Sequence, residues 1–392
     1  MSATSVKYFS STMPGAPVLS GTAGALIAVL DACLVTGLGL KTVDSLVVFG
    51  GAATMNISTG HSAVEGGVVN VSGASPAGLN GDKRVVSVTT NTIVFDATGI
   101  SNTTATGTIT TKVAPAGWTK EFGTSPVAVY KGGAGGTGFR LRVDDSGTIN
   151  ARVIGYEGMT GVDSGTGPFP TEAMRAGGGY WPKSETPSAA ARPWILVADD
   201  LGFYLNVGHQ TSYLGAGPTV FFGDIVSLSA TDTYQCALAY MNSVASTNYA
   251  TNFLDGIGGA STSLSPVAIA RSYTGAGAAI PMYLYYDLVF AANTPTRVSG
   301  SDGHNLAPYP NPADGSLSLS PIRAFEAGTL TERGSLPGLY AVPQGIPNGV
   351  FSPGDAVSST SALSGHLLRA LKQWSDTGSY GHMFVDTTGP WR

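Results

Sequence analysis

Apolar positions recur along the chain in two rhythms, and only one stretch has the helical one. Between Thr22 and Gly37, the residues Leu26, Ile27, Leu30, Cys33 and Leu34 fall at i, i+3, i+4 spacing, with Thr22 placed to cap the start and Gly37 to close the end. This predicts a short amphipathic helix with one face against a neighbour, and makes Leu26, Ile27, Leu30 and Leu34 the candidate assembly contacts. Ser, Thr and Gly dominate residues 1–20, which read as an extended arm that orders on docking. Arm and helix together make a first segment, 1–43.

From Asp44 the pattern becomes strand and turn. Leu46-Val47-Val48-Phe49, Met55-Asn56-Ile57, Val68-Val69-Asn70-Val71, Val85-Val86-Ser87-Val88 and Ile93-Val94-Phe95 are followed by a Thr-rich return from Thr106 to Lys112. Gly50-Gly51, Gly66-Gly67, Asn80-Gly81 and Thr90-Asn91 punctuate them. Short strands at this spacing predict a small β-barrel over 44–113, because closure removes edges that would otherwise aggregate. After the linker Ala114-Pro115-Ala116-Gly117, a larger unit opens with Trp118. Its apolar runs include Val127-Ala128-Val129-Tyr130, Phe139 to Val143, Ala151 to Ile154, and the hairpin Trp194–Val197 with Phe203–Val207. Phe221 to Ile225, Tyr234 to Tyr240 and Met282 to Tyr286 continue the series, while Met159 to Arg192 reads as a polar, Pro-rich excursion. The density of strands predicts a β-sandwich with long loops over 118–360, closed by a segment at 361–392. The fold class is therefore mainly β.

Composition narrows the function. Of 392 residues only 11% are charged, 20 basic against 25 acidic, where an ordinary soluble domain has roughly 25%. Glycine and proline make roughly a fifth of the chain, below the level that marks disorder, so the chain folds and is rich in turns. A net charge of −5 without a Lys/Arg run argues against a nucleic-acid partner. The most apolar stretch, Ala23 to Val35, is interrupted by Asp31 and is shorter than the roughly 20 residues of a membrane span. The opening MSATSVKYFSS has no charged and apolar leader pattern, so synthesis in the cytoplasm is expected. Cys33 and Cys236 form no CxxC pair and read as buried thiols. A subunit covered on several sides needs less charged surface than a free monomer, so the low charge points to assembly.

Motifs for chemistry are weak. Gly133 to Gly138 satisfies GxGxxG but is followed by the strand pattern of Phe139–Val143 instead of a helix, which predicts a hairpin loop without a nucleotide. No G-x-S-x-G elbow and no HExxH, HxH or CxxC spacing occurs, and His61, His209, His304, His366 and His382 are scattered. Asp144-Asp145 and Asp199-Asp200 read as turn residues, as does Asp302-Gly303 in Ser301 to Asn305. No catalytic residue, metal or cofactor is expected. The aromatics Tyr180, Trp181, Trp194, Phe203, Tyr204, Tyr283, Tyr285 and Tyr286 could stack on sugar rings or fill a core or subunit contact. Among them Tyr180, Trp181, Tyr283 and Tyr285 are the candidate glycan, receptor or interface residues.

The run from His61 to Gly99, HSAVEGGVVNVSGASPAGLNGDKRVVSVTTNTIVFDATG, resembles a barrel module of tailed-bacteriophage tail proteins, itself often compared with a half-domain barrel of ubiquitin-activating enzymes. Further along, RVDDSGT, ARVIGYEGM, TGPFPT, YWPKS, RPWILVADDLGFYL and FFGDI, in that order between Arg142 and Ile225, resemble virion structural proteins of Mu-like and related phages. The resemblance spans most of 20–340 and contains no catalytic Cys in the barrel module, so it implies a scaffold. It implies a non-enzymatic virion component at the tail tip or baseplate, assembling with other virion proteins and with itself, in a threefold (trimeric) or sixfold arrangement by analogy with tail geometry. A receptor- or glycan-binding module of the tail, contacting a host-surface receptor, is the alternative, and a head decoration protein a second one.

Overall fold

The computed structural model describes residues 3–208, 210, 216–242, 257, 266–285, 307–347, 349–358, 363–374 and 380–392. Among these residues the chain is mainly β, with one short α-helix and antiparallel sheets of thirteen, eight and six strands beside a two-stranded parallel pair.

The eight-stranded sheet runs Leu38–Thr42, Thr110–Val113, Val68–Ser72, Gly81–Val88, Thr92–Asp96, Ala52–Asn56, Ser45–Phe49, Thr103–Thr104. Alternation sets its two faces: Leu46 and Val48 are buried, while Val47 and Phe49 on the same strand are exposed. The inward side chains, among them Met55, Val69, Val71, Val85, Ile93 and Phe95, make a core of their own. The sheet comes round on itself where Ser75 and Thr106 exchange backbone hydrogen bonds of 2.9 and 3.0 Å. Strand Leu38–Thr42 joins this unit ahead of Asp44, by pairing with Thr110–Val113.

The six-stranded sheet is a meander of Thr119–Thr124, Val127–Lys131, Arg140–Asp144, Asn150–Gly161 and Ser164–Phe169, with Gly179–Pro182 paired to the first half of the long fourth strand. The excursion read at Met159–Arg192 is thus partly strand. Ser164–Phe169 has a glycine-rich, weakly β-forming sequence that is held by its pairing. A Cβ on Gly165 would lie 2.4 Å from the Tyr156 ring, so the glycine makes room for that aromatic.

The thirteen-stranded sheet contains Trp194–Ala198, Gly202–Val207, Thr219–Asp224 and Cys236–Ala239, all buried along their whole length. Continuous burial means both faces are covered. On one side lies the six-stranded sheet: Trp181 meets Phe203 edge-on at 5.6 Å, and Phe169 stacks on Phe222 at 6.2 Å. On the other side the long sheet curls over itself, so that the Tyr204 hydroxyl donates to Pro337 O at 2.9 Å and the Gly217 amide donates to Lys372 O at 3.1 Å. Leu367–Trp374 and Tyr380–Asp386, from the closing segment, are strands of this sheet.

Three expectations for the first segment are corrected. Part of the arm is an edge strand of the thirteen-stranded sheet: Lys7–Ser10 pairs with Trp194–Ala198, and all four residues are buried. Its Ser/Thr-rich surroundings hide a short apolar set, Val6, Tyr8 and Phe9, that the sheet edge takes up. Lys7 pairs with Asp82 at 2.8 Å, and the Arg84 guanidinium binds the carbonyls of Ala3, Gly66, Thr387 and Thr388, joining arm, barrel and chain end. The helix, Ala25–Leu30 continued by a π-helical turn Asp31–Thr36 up to Gly37, packs on the chain's own core. Leu26, Leu30 and Leu34 are fully buried and Ile27 nearly so, so none is free to contact a neighbouring subunit. Thr22 is not the cap either. Gly24 takes the N-cap position with φ 81°, and the capping oxygen comes from the six-stranded sheet, where Asp145 Oδ2 accepts from Leu26 N (2.8 Å) and Ile27 N (3.1 Å).

Candidate functional site

The four candidate aromatics separate into two kinds. Trp181 is fully buried, with its indole N–H donating to Ala239 O at 2.9 Å, and Tyr285 packs against Phe325 at 5.4 Å with 8% exposure. Neither can serve as a sugar platform, which corrects that expectation for both. Tyr180 and Tyr283 are half-buried and reach the surface. Tyr180 and Trp181 are strand neighbours and so point to opposite faces, and it is the larger ring that faces the core. Trp194, Phe203 and Tyr204 are core residues as well. Tyr286, His209, His304 and Ser301 to Asn305 lie outside the described residues.

A cleft of about 250 Å³ lies where the arm strand approaches Pro353, lined chiefly by Tyr8, Ser10, Ser11, Thr12, Trp194 and Asn206. Sequence reading missed it because Lys7–Ser10 was not placed on a sheet. Its polar groups are hydroxyls and the Asn206 amide: Ser10 Oγ and Thr12 Oγ1 are 2.8 Å apart, and Ser11 Oγ accepts from Trp194 N at 3.2 Å. Arg369 sits 4.3 Å from the centre of the Tyr8 ring, and burial pushes the Tyr8 phenol above its ordinary pKa. No lining side chain is a carboxylate, imidazole or thiol, so the cleft suits a small neutral ligand with an apolar face.

The glycine-rich loop between Val127–Lys131 and Arg140–Asp144 closes a hairpin, and its amides face carboxylates and carbonyls of the same chain. Thr137 N and Oγ1 both donate to Asp224 at 2.7 Å, and Gly133 N donates to Asp200 O at 2.6 Å. A phosphate would meet negative charge here. The paired acids divide between turn and core. Asp144 Oδ1 accepts from Ser146 N and Oγ, and Asp199 Oδ1 from Leu201 N and Gly202 N, as turn residues do. Asp145, in contrast, is completely buried in an ion pair with Lys183.

Other buried charges are also joined within the chain. Arg333 donates to Glu326 and Asp232, each at 2.6 Å, and Arg392 pairs with Asp199. Burial raises the Asp199 and Asp224 carboxyls above their ordinary pKa. Burial also holds the Cys33 and Cys236 thiols well above theirs, which disfavours thiolate chemistry. Among the described residues no three His, Cys, Asp or Glu side chains gather as metal ligands, and no helix is long and apolar enough to cross a membrane. No protein-family model matches the chain, and no curated protein matches it.

Proposed function

We propose that this chain is a non-enzymatic structural component of a tailed-phage virion, at the tail tip or baseplate, working through assembly with other virion proteins and with copies of itself. The outward face of the barrel carries the proposal. Its cross-strand row Thr104, Val47, Thr54, Val94 and Ser87 has no ionisable side chain, and Phe49 beside it is 77% exposed. Val86 and Leu40, also on barrel strands, stand out at 54% and 67%. Apolar side chains held at the surface of a sparsely charged protein gain free energy when another surface covers them, at about 25 cal/mol per Å². The ion pairs that fasten arm, helix and sheets into one body support a scaffold role, as does the resemblance to phage virion proteins.

Microscopy of mature particles, with the mass of the purified chain, tests the proposal. The protein is expected in the tail, as a homo-oligomer whose mass distinguishes a trimer from other states; location on the capsid would instead assign head decoration, and absence from particles would sink both. Val47→Asp with Phe49→Asp is expected to leave the fold intact, since both side chains point to water, and to weaken self-association or incorporation by at least roughly tenfold. A double variant that assembles like the wild type would remove the barrel face from the proposal.

The cleft beside Tyr8 favours a second reading, a receptor- or glycan-binding module that meets the host surface. Saturable binding of neutral host glycans to the full chain, lost when Ser11→Trp fills the cleft, is the result this reading requires.

A further inference from the structure

We propose that Arg152, Tyr180 and Arg175 form a binding site for an oxyanion, the carboxylate or phosphate group of a small ligand. The site does not depend on the assembly reading and lies on the opposite face of Gly179–Pro182 from the buried Trp181.

Arg152 and Tyr180 stand directly opposite one another across the pair formed by Asn150–Gly161 and Gly179–Pro182, with the guanidinium carbon 3.9 Å from the ring centre. The turn between Ser164–Phe169 and Gly179–Pro182 brings Arg175 to the same ring, at 5.5 Å. The glycines that follow Arg175 permit this approach. Gly177 has φ +69°, and a Cβ there would stand 2.8 Å from Arg152 Nη2. Arg152 is fixed by donating from Nε to Gly177 O at 2.9 Å and from Nη2 to Ala176 O, which leaves Nη1 without an acceptor among the described residues.

Four of the described arginines lack a carboxylate within ion-pair distance, and of these Arg84 is spread over four carbonyls and Arg369 donates from both Nη atoms to carbonyls, which leaves Arg152 and Arg175. Arg140, Arg142, Arg192, Arg271 and Arg333 each have a carboxylate within ion-pair distance. Among the described residues Arg152 and Arg175 have none, and Arg175 Nε is buried without any acceptor. Glu172, on the same turn, accepts from Gly177 N at 3.1 and 3.2 Å, and Asp144, opposite Arg152 on the adjoining strand, accepts from Ser146 and feels the Arg152 charge without coming within ion-pair distance of it. An oxyanion lying between Arg152 Nη1 and the Arg175 guanidinium offers a charged acceptor to both, and charge-assisted hydrogen bonds of this kind are stronger than those a neutral ligand makes.

The test titrates the full chain with inorganic phosphate, glucuronate, glucose 6-phosphate and glucose, by calorimetry or NMR. The three anions are expected to bind saturably and glucose not at all. Raising salt from about 0.05 M to about 0.5 M shortens the screening length several-fold and should weaken binding correspondingly. Arg175→Gln should reduce anion affinity about tenfold with melting behaviour unchanged, and Arg175→Lys should restore part of it as a point charge without the fork. Tighter binding of the sugar anions than of phosphate assigns a glycan source and equal binding a free anion; the site stands in either case. Absence of saturable anion binding, or binding indifferent to Arg175→Gln, overturns the proposal.

Discussion

Lys183→Met is expected to lower the free energy of unfolding by about 3–5 kcal/mol, because it strands the Asp145 carboxylate in the interior. Lys183 and Asp145 side chains are both fully buried. The ammonium also donates to Thr22 O at 2.6 Å and Gly147 O at 2.8 Å, while the carboxylate caps the helix through Leu26 N and Ile27 N. One pair therefore connects the loop before the helix, the helix itself and the six-stranded sheet. Burial alone pushes the Asp145 carboxyl up, and Lys183 with the two helix amides pulls it back toward ionisation. Methionine keeps the volume of the lysine stem but offers no positive charge, so what is lost is the counter-charge. Adding Asp145→Asn to Lys183→Met should recover part of the loss, since the amide oxygen still accepts from the helix while no net charge remains buried. Denaturant unfolding of the two single variants and the double should show a coupling of more than about 1 kcal/mol. Loss below that size for Lys183→Met would mean that the pair is dispensable.

This lock also marks where sequence reading stops. Asp144-Asp145 looks like a turn, and Asp144 is one, but nothing in the local pattern tells that the next carboxylate meets a lysine far along the chain. Strands were legible wherever alternation or an unbroken apolar run set them apart, as in Ser45–Phe49 and Trp194–Ala198. The helix was legible from its spacing, whereas the partner of its apolar face was not: periodicity shows that Leu26, Leu30 and Leu34 must be covered, and leaves open whether by the same chain or another. Ser164–Phe169 escaped because pairing, not propensity, makes it a strand, and Lys7–Ser10 because its two aromatics are too short a run to stand out among Ser and Thr. The oxyanion site was half visible. Tyr180 was singled out as an aromatic, but Arg152 joins it through strand register and Arg175 through a glycine turn, and both are tertiary facts.

Acid should loosen the molecule first around His382, and most of that sensitivity should vanish in His382→Leu. The imidazole is 2% exposed and packs edge-on against Phe351 at 5.9 Å; burial pushes its pKa down to about 4, with the charge of Lys372 opposite acting in the same direction and the Phe351 carbonyl against it. An unfolded histidine titrates near 6.5, so between about pH 6.5 and pH 4 the unfolded chain binds the proton and the folded chain does not. Stability from this residue is therefore complete above the unfolded value and is lost as pH falls toward the folded one, by about 3 kcal/mol over the window. Carboxyls raised by burial, Asp145, Asp199 and Asp224, contribute with the opposite sign, being favoured in their protonated form, and mask part of the loss in the wild type. They are common to both proteins, so the difference in unfolding free energy between wild type and His382→Leu isolates the histidine. That difference should change by about 3 kcal/mol between neutral pH and pH 4, and parallel curves would show that the imidazole takes up its proton without cost. Tyr380–Asp386 pairs with both Leu367–Trp374 and Glu332–Ala341, so a charge forced on its middle acts where the closing strands join the large sheet.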